Sequence, residues 1–152
     1  SHRTVLLYIG GRIFAANPIV GAGWQRSADA DVYLPYVPDA KRRFPDVVPQ
    51  AFPSATRSWG VQNAYVQAGA DLGVVGLVLF LAPFAVALRL AYRAAANRSA
   101  HAAAVGLVAL TATLTLMGIW TAIGLVAGIP LCAATWLALG VATLPASGAL
   151  DE

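Results

Sequence analysis

The sequence predicts an all-α integral membrane protein with about three transmembrane helices, preceded by a largely irregular extracytoplasmic loop that carries one short helix. Three observations predict it. The 152 residues are 59% hydrophobic and only 11% charged, where a soluble domain has about a quarter of its residues charged. The charge is also segregated, because residues 102–149 hold no Asp, Glu, Lys or Arg while 1–63 are dense in them. Finally, the apolar stretches after Asp71 reach the length that a hydrocarbon core requires. A soluble helical domain does not carry a 48-residue uncharged run of that kind. The division is therefore residues 1–63 as the loop and 64–152 as the membrane part. With neither Met nor a basic-then-apolar leader at Ser1, the chain reads as the C-terminal part of a longer polytopic protein whose other helices precede it.

The loop opens with residues 3–16, a mostly apolar helix with Arg3 near its start and Arg12 inside it. Nine residues of unbroken helix turn by about half a circle beyond whole turns, so these two arginines face opposite ways unless Gly10–Gly11 breaks the helix. Pro18 stops the helix, and Gly21 and Gly23 permit a sharp turn. From Trp24 to Trp59 the chain holds five prolines and little periodicity, which predicts irregular structure covering a cleft. The run Lys41-Arg42-Arg43 reads as a solvated or headgroup-facing face. Asn63, Gln67 and Asp71 recur every four residues and share one helical face. A carboxylate at the edge of a span must face protein or water, and Arg57 is the expected partner of Asp71.

The first span is expected over about residues 68–90, with Pro83 kinking it. Residues 102–149 would make one helix about 70 Å long, over twice the hydrocarbon thickness. Gly124, Gly128 and Pro130 divide that stretch into spans near 103–123 and 126–144. The short connection between the first two spans carries Arg89, Arg93, Arg98 and His101 and no acid, which places it in the cytoplasm and residues 1–63 outside. The long loop holds seven basic residues against four Asp, and long loops cross regardless of charge. Gly69, Gly73 and Gly76 permit close approach of a neighbour. Thr111, Thr113 and Thr115 are expected to pack or to bond to helix backbone.

Composition removes other classes. The net charge of +3 is modest, and the basic residues alternate with Pro and Asp instead of forming a tract with stacking aromatics. No nucleic-acid partner is expected. Cys132 is the only cysteine; it forms no internal disulfide and reads as a small core residue. Neither a cofactor nor a metal is expected.

Arg3, then Pro18-Ile-Val-Gly21-Ala-Gly23, then Gln62-Asn63-Ala-Tyr65, then Asp71-Leu-Gly73-Val-Val-Gly76-Leu together resemble the C-terminal signature of the O-antigen ligase and polymerase family. In that pattern an Arg begins a helix about fifteen residues before a Pro-x-x-Gly-x-Gly turn, and a His-Asn pair precedes a span beginning acid-x-Gly-x-x-Gly-Leu. The resemblance covers nearly the whole chain. It implies a multi-pass enzyme of the cytoplasmic membrane that moves a glycan from a polyprenyl-diphosphate carrier to an acceptor hydroxyl at the outer face, without metal or nucleotide sugar. It further implies eight or nine more spans ahead of this segment. Arg3 matches the family's Arg and is the expected diphosphate contact, with Arg12 and Arg57 as local additions. Arg side chains suit a leaving group that gains negative charge. Gln62 and Asn63 stand where the family has His-Asn. This is a departure, because glutamine orients a hydroxyl but does not take its proton near neutral pH. His2, at the chain's edge, and His101, on the cytoplasmic side, are the other imidazoles. The rival class is a non-enzymatic polytopic protein, such as a transporter or flippase segment or an assembly subunit. The absence of charge at mid-depth in the three spans disfavours ion-coupled transport.

Overall fold

The computed structural model describes residues 1–96 and 101–119, together with Ala133, Trp136, Leu137, Leu139 and Gly140. The described residues form helices and no strand, and they fall into two compact units, one built on Ser1–Val78 and the other on Leu79–Gly118.

The first unit is organised by α1, His2–Ala16, which continues unbroken through Gly10–Gly11. Val5, Ile9 and Ile13 recur every four residues and are buried, while Arg3, Leu7, Gly11 and Arg12 stay exposed. The buried stripe packs on Tyr33, Val37, Ala40, Phe52 and Ala70 to make the core of the unit. Burying such an aliphatic side chain is worth roughly 2 kcal/mol, and three of them on one face hold α1 against the rest. Gly10 is packed as tightly, because a Cβ there would sit 2.7 Å from a Val61 methyl.

The proline-rich stretch expected to be irregular is in fact a succession of short helices. Turns of 3₁₀ helix cover Arg26–Ala28, Leu34–Tyr36 and Pro49–Ala51, and short α-helices form at α2, Ala30–Tyr33, and α3, Val37–Arg43. Pro35, Pro38 and Pro49 each occupy the first turn of a helical element. There the missing N–H has no intrahelical partner to lose, so proline starts a helix it would break further along. Three cations in the last turn of α3, Lys41, Arg42 and Arg43, suit its exposed carbonyls.

The long helix α4 runs Ala64–Ala96, further at both ends than the expected 68–90. Its interruption falls at Gly73 (φ 65°, ψ −166°), ten residues before Pro83, which sits inside the helix without breaking its dihedrals. Ala64–Arg93 is long and apolar enough to cross a membrane, and it is the one such helix among the described residues. In the second unit α5 spans His101–Ile119. Thr111, Thr113 and Thr115 each donate to a carbonyl four residues back, at 2.7–2.9 Å, so their hydroxyls are satisfied within the helix. Phe84 is buried; it meets Phe80 edge to face and stacks on Trp136, at centroid distances of 5.5 and 6.4 Å. The end of the expected span 103–123 lies outside the described residues, as does all but five residues of 126–144.

Three glycines test this architecture. Gly11 has open space where an added methyl would stand, so Gly11→Ala should stabilise the protein by about 0.5–1 kcal/mol through helix propensity. At Gly73 a Cβ would lie 2.2 Å from the Ile19 carbonyl oxygen, and at Gly21 it would lie 2.3 Å from that of Asp71, both at positive φ. Gly73→Ala and Gly21→Ala should each cost upwards of about 2 kcal/mol. Thermal unfolding in detergent, with Gly11→Ala rising and the other two falling, is the expected result.

Candidate functional site

An unbroken helix would pair the Val74 N–H with the Ala70 carbonyl and the Val75 N–H with that of Asp71. The break at Gly73 separates these groups, and the Pro18–Gly23 turn takes both sides. Ala22 N–H donates to the Ala70 carbonyl and Gly23 N–H to the Asp71 carbonyl, each at 2.8 Å. In return Val74 N–H donates to the Pro18 carbonyl at 2.8 Å and Val75 N–H to that of Ile19 at 3.3 Å. Glycine is required on both partners by the close approach of the two backbones. Gly69, one turn earlier, lies against the ring of Phe14, where a Cβ would meet it at 3.4 Å.

Asp71 is 4% exposed, and its carboxylate accepts the Ser27 N–H at 2.8 Å. Asp71, two turns into α4, therefore ties down the segment that follows the turn. The expected pairing with Arg57 is not made. Arg57 lies over the Trp59 ring at 4.6 Å and donates to the Gln50 carbonyl at 2.9 Å.

Trp59 is the centre of a second cluster. The ring of His2 meets it edge to face at 4.3 Å, and His2 Nδ1 is 2.9 Å from the Ala51 carbonyl. A carbonyl only accepts, so Nδ1 carries the proton in the neutral ring and Nε2 keeps its lone pair. Arg3 follows His2 in the first turn of α1 and is exposed. His2 and Arg57 thus meet on Trp59 at the N-terminal end of α1, and Arg3 is the next residue along that helix. The sequence does not mark His2 and Trp59 as site residues. Their aromatic–imidazole contact joins residues 57 positions apart, and no local spacing announces it.

Arg12 is elsewhere. Nine residues further along the unbroken α1 it lies about 13 Å from Arg3 along the axis and on the opposite face. Its guanidinium is 3.7 Å from the Asp39 carboxylate, which also accepts from Arg42 at 2.9 Å and from the Tyr8 hydroxyl at 2.5 Å. Tyr8 packs edge to face on Phe44 at 5.6 Å. This arrangement links α1 to α3 and uses Arg12 as a structural cation.

Gln62 and Asn63 join the loop to α4. Gln62 is half-buried with φ 54°, a left-handed backbone that costs a non-glycine residue about 1 kcal/mol or more. Asn63 caps α4: its Oδ1 accepts the N–H groups of Tyr65 and Val66 at 3.1 and 3.0 Å. A pocket lined by Leu6, Ser27, Tyr33, Trp59 and Val61 has about 10 Å³ of space, which fits one water and no sugar ring. Among the described residues no three metal-ligating side chains come together.

The Tyr8–Asp39 contact gives a pH signature. Hydrogen bonding from Tyr8, then from Arg42, holds the Asp39 carboxyl below its ordinary value of 3.8, and the same bond raises the Tyr8 hydroxyl above 10.0. The depressed carboxyl stabilises the fold above its unfolded value and loses this as pH falls through the folded one. The raised phenol stabilises below its unfolded value and loses this as pH rises through the folded one. The difference in melting temperature between wild type and Tyr8→Phe should therefore be constant from roughly pH 5 to 9 and shrink toward both extremes.

Comparison of the chain with known proteins returns no matching family model, no matching curated relative and no matching solved structure.

Proposed function

We propose that the chain is part of a multi-pass enzyme of the cytoplasmic membrane that transfers a glycan from a polyprenyl-diphosphate carrier to an acceptor hydroxyl during cell-surface polysaccharide assembly. One observation carries this reading. The two glycine motifs behind the resemblance to O-antigen ligases and polymerases, Pro18–Gly23 and Asp71–Gly76, are far apart in sequence and interlock through three backbone hydrogen bonds, with a fourth from Ala22 to the Ala70 carbonyl just ahead of the second motif. They do so near the start of a helix of membrane-spanning length and composition.

In this proposal α4, α5 and residues 126–144 are the three spans, and residues 1–63 lie on the outer face, where the lipid-linked donor presents its sugar. Arg3 and Arg57 bind the diphosphate. The acceptor oxygen bonds to the anomeric carbon as the carbon–oxygen bond to the diphosphate breaks, and the arginines stabilise the charge arriving on the leaving group. His2 Nε2, with its lone pair set by the Nδ1–H bond to Ala51, takes the hydroxyl proton that Gln62 cannot. Gln62 orients the acceptor at the mouth of α4, and Asn63, whose Oδ1 caps that helix, fixes where Gln62 stands. Arg12, engaged by Asp39 at the far end of α1, is outside this site.

Complementation tests the assignment. The full-length protein would be expressed in a strain lacking its own copy, and the surface-glycan profile compared for wild type, Arg3→Ala, His2→Gln, Gln62→His and Arg12→Ala at equal protein level. Arg3→Ala and His2→Gln should lower transfer by about a hundredfold, the scale of losing one charge-stabilising or proton-transfer group. Gln62→His should restore transfer to the His2→Gln background, and Arg12→Ala should leave it near wild type. A profile indifferent to all four, including the absence of the protein, would instead favour a transport or scaffold role.

A further inference from the structure

We infer that the small pocket beside Trp59 is a binding site for one ordered water molecule, which accepts the Ser27 hydroxyl and ties that residue to the loop carrying Trp59. The inference goes beyond the transferase reading and rests on packing within the first unit alone.

The starting point is an orphan. Ser27 is 3% exposed, and its Oγ is enclosed with no hydrogen-bond partner among the described residues. A buried hydroxyl left that way carries its full desolvation cost, which native folds rarely tolerate. Ser27 lines the pocket, whose space of about 10 Å³ accommodates one water.

The walls keep the gap open. Ser27 is fixed by its own N–H on the Asp71 carboxylate at 2.8 Å. Tyr33, on another wall, is fixed by its hydroxyl on the Ser54 carbonyl at 2.6 Å. On a third side the chain turns at Gly60 with φ 64°, and Val61 is already packed against Gly10. These segments close on Ser27 Oγ only by giving up contacts they already make.

The lining selects the occupant. Apolar cavities stay dry, but three hydroxyl-bearing residues, Ser27, Tyr33 and Ser58, edge this one. Ser58 Oγ donates to the Ala28 carbonyl at 2.8 Å, as Tyr33 does to Ser54, so both hydroxyls have committed their proton and keep lone pairs. Ser27 still has its proton to give. A water complements that set, accepting from Ser27 and donating to the oxygen of Tyr33 or Ser58. No lining residue is charged, which disfavours an ion, and the volume excludes a larger solute. Through this water the Asp71 anchor reaches the loop whose indole receives His2 and Arg57.

Two measurements on the full-length protein test the site. The first is a crystal structure at a resolution that shows ordered solvent. The expected result is a single solvent peak about 2.6–3.2 Å from Ser27 Oγ, with a second polar neighbour in the pocket. An empty pocket, with Ser27 Oγ turned onto a protein acceptor or left alone, overturns the inference. The second measurement is the thermal midpoint of Ser27→Ala in detergent, and the sign of its shift decides. A water that loses its donor costs stability, so the midpoint should fall by a few degrees and the solvent peak should weaken or vanish. An orphan hydroxyl with no water is a burden whose removal helps. A midpoint that stays level or rises in Ser27→Ala therefore overturns the site.

Discussion

A helix interrupted inside an apolar stretch leaves backbone groups without their intrahelical partners, and here those groups are taken by a turn far upstream in the chain. The Ala70 and Asp71 carbonyls and the Val74 and Val75 N–H groups all find partners on Pro18–Gly23. Each such bond is worth only about 1 kcal/mol net in water, but an unpaired group away from water costs several. The break and the turn therefore exist only together. Neither motif is an independent local structure; each is the complement of the other, and glycine at positions 21 and 73 is what lets two backbones come that close.

Everything in the first unit is placed by this junction. The turn ends α1, so fixing the turn fixes the C-terminal end of a helix whose buried stripe of Val5, Ile9 and Ile13 organises the rest of the core. Asp71 extends the same junction outward by accepting from Ser27, where the short-helix segment begins. Its carboxylate is thus committed to structure, which leaves Arg57 to Trp59 and brings His2 and Arg57 onto one indole. A buried acid two turns into α4, by not pairing with the nearest plausible cation, shapes the cluster at the other end of α1.

The sequence exposes some of this directly and conceals the rest for identifiable reasons. The amphipathic helix at 3–16, the stop at Pro18, the start of the long helix near Asn63 and the self-bonded threonines of α5 all follow from period, cap and breaker chemistry, which are local. The unbroken α1 also follows through to its consequence that Arg3 and Arg12 face apart. The prolines from 35 to 49 mislead because proline signals helix start as well as helix failure, and only the neighbours decide which. The break in α4 falls at Gly73 and not at Pro83 because the turn supplies partners at the former. That is a long-range fact, as is the meeting of His2 with Trp59, and neither is written in any window of adjacent residues.

The separation of structural from chemical polar groups follows from the same constraint. Asn63 and Asp71 share a helical face, which makes them look alike in sequence, yet Asn63 gives its carbonyl to the first turn of α4 and Asp71 gives its carboxylate to Ser27. Between the loop and that capped helix stands Gln62, held in a left-handed backbone that a glycine would adopt at less cost. Gln25 has a left-handed backbone as well, so what distinguishes Gln62 is its place directly beside a capped and anchored helix. In the proposed transferase, whose imidazole stands at the head of α1 and not in the turn itself, what Gln62 positions is the acceptor and not the proton.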